Sequence, residues 1–267
     1  MIRVELRKLL TRPRTWITIA LLAGLPALVG VFVRTTGVGP RPGRGPALLS
    51  EVLSNGSMFP AAALAIVLPL FLPIAVSVVA GDTVAGEAAF GTLRYLLIRP
   101  VPRARLLIAK LIATLTFVLL AVVAVALVGL VTGWLLFGLR PLTTVSGVSV
   151  ASEQLVLRVG FTVLYVAVSM FGVAAIGLFA STSTDAPLAA TLATLAAFVA
   201  SQVLDLIDAA GGLHPYLPTH YWLAFVDLFR EPAYWSNVLR GLGIQAAYIT
   251  VFLGFAWAGF ATRDVTA

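Results

Sequence analysis

The chain has 267 residues, of which 60% are hydrophobic and 11% charged, with a mean hydropathy of +1.02 and a formal net charge of +7. So apolar a composition excludes an ordinary soluble domain, and the absence of cysteine removes both a disulfide framework and a thiolate metal site. The positive charge is spread over several loops instead of forming one patch, which argues against a nucleic-acid partner.

Residues 1–15 begin "MIRVELRKLL" and place Ile2, Leu6 and Leu9 on one helical face and Arg3, Arg7 and Arg14 on another, up to the break at Pro13. The pattern predicts a short amphipathic helix in the membrane interface. Its bases, Arg3, Arg7, Lys8, Arg12 and Arg14, would form a membrane-surface set turned toward anionic headgroups. A solvated basic tail is the alternative reading. The first uncharged run, 16–33, imitates the apolar region of a signal peptide. It is followed by "RTTGVGPRPGRGP" and not by a small-residue cleavage site, so it reads as an uncleaved first span.

Five more runs reach the roughly 18–20 residues that cross a bilayer: 59–80, 111–137, 159–180, 186–204 and 242–261. A bilayer leaves unpaired backbone groups unsatisfied, so each run predicts a helix. The expected fold class is an all-α integral membrane protein with six transmembrane helices in a single domain, 1–267. With the N-terminus inside, the inner segments hold eleven Lys and Arg in 56 residues, against seven in 83 outside. That bias puts both termini in the cytoplasm.

Within the spans, Pro69 and Pro73 predict a kink in the second, and Gly129 and Gly133 form a GxxxG pair in the third. Residues 34–46, rich in Gly and Pro, read as an outer connector. The outer loop 205–241 carries Tyr216, Tyr221, Trp222, Phe225, Phe229, Tyr234 and Trp235 among its prolines, a density suited to a bilayer interface. His214 and His220 lie in "HPYLPTH", which lacks the zinc-binding spacing H-E-x-x-H.

None of the six runs contains Asp, Glu, Lys, Arg or His, whereas proton-coupled transporters keep such groups at mid-membrane. Neither lysine, Lys8 or Lys110, follows a phosphate-binding glycine loop. A transport step therefore needs energy from another chain, and no catalytic, cofactor or metal site is expected in this one. A proton-coupled secondary transporter or an integral membrane enzyme is the alternative. A structural or sensory membrane module is a third reading.

The charges concentrate between spans two and three, in "GDTVAGEAAFGTLRYLLIRPVPRARLLIAKL". Asp82 to Phe90 continue the second span's helix, and Gly91 is placed to end it. Thr92 can cap a short helix that Pro100 stops, and Pro102 can open the next. Leu93, Leu96 and Leu97 share a face of that short helix and need a groove or an interface to cover them. Glu87 stands one turn before Gly91, where it can hold the bend through Arg94 or through the N-terminal basic helix, or be solvated. Asp82 is left open in the same way. Arg103, Arg105 and Lys110 read as snorkelling anchors of span three.

This stretch resembles the cytosolic loop of type-2 permease subunits of ATP-binding cassette (ABC) exporters. Glu87, Gly91-Thr92, Leu93-Arg94, the apolar run to Pro100, Arg103 and Lys110 carry the likeness, with the basic entry "VELRKLLTRPRTW", the short "STSTD" loop and a terminal "TRDV" in agreement. The resemblance implies a multi-pass permease of a bacterial cell membrane, paired as a homodimer or heterodimer and working with two cytosolic ATPase subunits that bind ATP and Mg. It makes Gly91 to Pro100 the coupling helix and the Asp185 loop a second contact. It also leads one to expect short re-entrant helices in 205–241. Membrane lipids are the other expected partners, and walls of Ala, Val, Leu and Phe favour an amphiphilic or apolar cargo.

Overall fold

Arg12 takes an extended backbone, φ −79° and ψ 121°, as a following proline requires. It separates α1 (Ile2–Thr11) from α2 (Pro13–Thr36), whose first-turn proline lacks only an N–H that would be unpaired anyway. The structure is a computed structural model that describes residues 1–36, 56–91, 103–138, 142–143, 149–150, 152–230 and 232–262. After α2 come α3 (Phe59–Val67), α4 (Phe71–Ala89), α5 (Arg103–Phe137), α6 (Ser152–Ser183), α7 (Pro187–Asp205) and α8 (Ser236–Thr262). A two-residue ladder, β1 (Leu142–Thr143) against β2 (Ser149–Val150), is the one strand pairing among the described residues. The protein is an all-α membrane protein: α2 and α4 to α8 are each long and apolar enough to cross a bilayer.

The second apolar run, expected as one helix over 59–80, is instead two. In a continuous helix the Pro73 ring would meet the carbonyl of residue 69, and proline has no N–H to return a bond. The chain turns at residues 68–70, and the freed Pro69 carbonyl accepts a hydrogen bond from Gln202 Nε2 at 2.8 Å. At about 1.5 Å per residue, the nine residues of α3 are too short to cross alone. They are almost wholly buried against α5. Gly129 and Gly133 make that approach possible: a methyl on Gly129 would lie 3.0 Å from the Ala63 Cβ, and one on Gly133 would run into the Gly56 carbonyl. The GxxxG pair thus seats a helix of the same chain.

α6 forms the centre of the bundle, packed on α4, α5, α7 and α8. The aromatic loop is divided between two roles, and only part of it is a surface belt. Tyr216, Tyr234 and Trp235 are exposed, but Trp222 and Phe225 are buried, packing on Phe198 and Tyr165. Its local structure is a set of short 3-10 helices, Asp208–Ala210, His214–Tyr216 and Ala224–Phe229. His220 Nδ1 lies 2.5 Å from Asp205 Oδ1, and His214 Nε2 is 3.2 Å from the Leu204 and Ile207 carbonyls.

Candidate functional site: a charged cluster and cleft at the α1 end

α4 runs past its apolar core to Ala89 and stops where Gly91 takes φ +68°, a left-handed conformation that costs glycine little. Gly91 N–H donates to the Ala88 carbonyl at 2.9 Å. This last stretch of α4 carries Asp82 and Glu87, and α5 carries Lys110. The apolar runs read from sequence are free of charge, but the helices that contain them are not.

Lys110 is the main correction to the sequence reading. A snorkelling anchor keeps its ammonium in water, yet this residue is only 2% exposed. Its Nζ lies 2.8 Å from Glu87 Oε2 and donates to the Thr83 carbonyl at 2.6 Å, with Glu5 Oε2 at 3.9 Å. A buried ammonium is tolerable only with such partners around it. Glu87 also accepts a hydrogen bond from Lys8 Nζ at 3.1 Å, and Lys8 pairs with Glu5 at the same distance. Glu87 therefore ties α1 and α5 to the end of α4.

The N-terminal bases take two orientations. Arg3 and Arg7 are exposed, while Lys8, Arg12 and Arg14 turn toward carboxylates and not simply toward headgroups. Arg14 pairs with Asp82, and Arg12 Nη1 lies 3.6 Å from the same carboxylate. Burial acts to lower the Lys8 pKa, but the hydrogen bond to Glu5 and the charge of Glu87 outweigh it. The ammonium is held above the ordinary lysine value of 10.5. Trp16 Nε1 donates to the Leu10 carbonyl at 2.8 Å, fastening the corner between α1 and α2.

Two contacts at this end had no sequence signal. Ser181, near the end of α6, inserts its hydroxyl into the α4 ladder. It donates to the Gly81 carbonyl at 2.7 Å and accepts from Val84 and Ala85 N–H at 3.0 and 2.9 Å. Ser181 opens the "STSTD" stretch expected as a short loop, but Ser181 to Ser183 continue α6, and nothing local marks which of these hydroxyls finds a partner. Arg103 donates to the Phe260 and Ala261 carbonyls at 3.3 and 2.8 Å, capping the end of α8. Asp185 stands on the exposed turn joining α6 to α7. Thr92, Leu93, Arg94, Leu96, Leu97 and Pro100 lie outside the described residues, as do Pro102 and most of the outer connector.

Above the cluster a cleft of about 1180 Å³ opens between α2 and α4. Leu21, Leu25 and Leu28 line one wall, Phe71, Ile74 and Val78 the other, and Ala113 and Thr114 of α5 the floor. Its charged mouth holds four bases, Lys8, Arg12, Arg14 and Lys110, against three acids, Glu5, Asp82 and Glu87.

Among the described residues, six helices long enough to span, a second apolar run broken in two and a charged junction at one end define a multi-pass membrane protein. The family model described as ABC-2 family transporter protein matches residues 1–201, and the chain belongs to that family as a membrane permease component of an ABC transporter. The match takes in everything from α1 to most of α7. No curated protein sequence matches the chain.

Proposed function

We propose that this chain is the membrane-spanning permease subunit of an ABC exporter, coupled to a separate cytosolic ATPase that binds ATP and Mg. Two permease chains, identical or not, would form the pathway, with both termini and the segment after Gly91 on the cytosolic face of the cell membrane. Residues 1–267 act as one permease domain, and no ATP is hydrolysed within it.

The observation that carries this reading is the mounting of the segment between α4 and α5. Glu87 on one side of it and Lys110 on the other are joined directly, and Lys8 brings α1 onto the same carboxylate. Such a junction gives the segment a stiff base, so a push received there moves α4 and α5 together. Gly91, Thr92, Leu93, Arg94, Leu96, Leu97 and Pro100 would supply the coupling element, and the Asp185 turn a second contact. An apolar face of Leu93, Leu96 and Leu97 fits a dry groove on a partner.

Charging that face tests the reading. Leu96→Asp puts a carboxylate into the contact, where an unpaired buried charge costs several kcal/mol. The variant is expected to insert normally and to lose its ATPase on co-purification, while Arg7→Ala, at an exposed position, keeps it. Full retention of the partner with full transport by Leu96→Asp would overturn the assignment.

A further inference from the structure

The cleft between α2 and α4 has a feature that transport coupling does not use. Its walls are apolar and open sideways: Leu21 is 70% exposed, Leu28 73% and Val78 48%. Its mouth holds one more base than acid, and the surplus lies at Arg12 and Arg14, two guanidinium groups sharing the single carboxylate of Asp82. An additional anion can approach those guanidinium groups without leaving any existing pair unmade, since each has several N–H donors. From Arg14 to Leu28 the α2 wall runs about 21 Å at 1.5 Å per residue. Half of a bilayer core of about 30 Å, with its headgroup layer, has similar depth.

We infer that this cleft is a binding site for one anionic membrane phospholipid. Its phosphate sits at Arg12 and Arg14, and its acyl chains lie between Leu21, Leu25 and Leu28 of α2 and Ile74 and Val78 of α4. A zwitterionic lipid offers the same chains but brings its own cation to the two arginines, so the site selects on headgroup charge. The site needs neither an ATPase nor transport.

Gly24 offers a way to close the cleft without touching its charges. It lines the α2 wall, and a Cβ there meets nothing within 4 Å, so Gly24→Phe fills the space where an acyl chain would lie. The full chain, reconstituted in phosphatidylcholine vesicles, would be photolysed with a trace of diazirine-tagged phosphatidylglycerol or diazirine-tagged phosphatidylcholine. Labelled peptides would then be mapped. The anionic probe should label 21–28 and 71–79 about five-fold more than the zwitterionic one, the preference that one basic residue near charged lipid supplies. Arg12→Gln with Arg14→Gln should abolish that preference. Gly24→Phe should remove cleft labelling by both probes and leave the exposed face of α8 labelled as before. Equal labelling by the two probes overturns the proposal, as does labelling that survives Gly24→Phe. So does an unlabelled cleft in which Leu28→Cys cross-links two copies of the chain, because a second copy then fills it.

Discussion

The two ends of α5 are held by opposite means. Near its start, Lys110 is gripped by Glu87, Glu5 and the Thr83 carbonyl, an attachment made of charge. Near its finish, Gly129 and Gly133 bring α3 to backbone contact, an attachment made of missing side chains. In lipid the hydrophobic effect does not press helices together, so association falls to packing and polar contacts. One helix uses each where it suits. Directional, switchable contacts stand beside the segment proposed to meet a partner, and close packing stands at the far end, where α3 cannot cross alone.

The strongest way to break this comparison is to remove one charge. Glu87→Ala leaves Lys110 buried beside a distant Glu5, and should lower stability by about 3–5 kcal/mol, the cost of an orphaned buried charge. Thermal unfolding in detergent reads it. Glu87→Gln combined with Lys110→Met should recover most of the loss, and no recovery would mean the pair is not what fixes this end. Next comes Gly133→Ala, whose methyl meets the rigid Gly56 backbone. Overpacking of that kind costs about 1–3 kcal/mol, and the same melt should show it. Gly129→Ala, facing the Ala63 Cβ at 3.0 Å, should cost less.

Arg103→Ala removes the donor at the end of α8 and is expected to cost about 0.5–1 kcal/mol, the worth of a cation at a helix C-terminus. The smallest effect concerns pH. Because the folded Lys8 pKa is raised above 10.5, its contribution is complete below the unfolded value and fades only as pH rises through the folded one. The difference in melting temperature between the protein and its Lys8→Met variant should thus stay flat across about pH 6 to 9 and shrink only above the ordinary lysine range.

Much of this architecture is local in origin, and so was legible in residue order. Run length marks the spans, Pro13 divides α1 from α2, Pro73 breaks the second span and Gly91 ends α4, because each acts on its own turn of backbone. Glu87's link to the N-terminal helix was one of the alternatives its position allowed. Lys110 shows where legibility stops. A lysine at the border of an apolar run looks the same whether it snorkels or is buried, and the decision rests with Glu87 and the Thr83 carbonyl of the neighbouring helix. Ser181 is similar, since its hydroxyl matters only because Gly81 of another helix lies opposite. The aromatic loop divided for the same reason: its composition suits an interface, but Trp222 and Phe225 found a core at Phe198 and Tyr165.

The short helix α3 has a consequence for biosynthesis. Its seat on α5 is made by Gly129 and Gly133, some 70 residues further along the chain. At about 5–20 residues per second, the ribosome delivers that seat roughly 4 to 14 seconds after α3. Over that interval α3 lacks its main docking surface and is too short to cross by itself. Assembly of this half of the protein is therefore completed late: α3 has only α2 to rest on until the glycines arrive, and a ribosome stalled between residues 67 and 129 would leave a nascent chain with a half-seated helix for quality control to find.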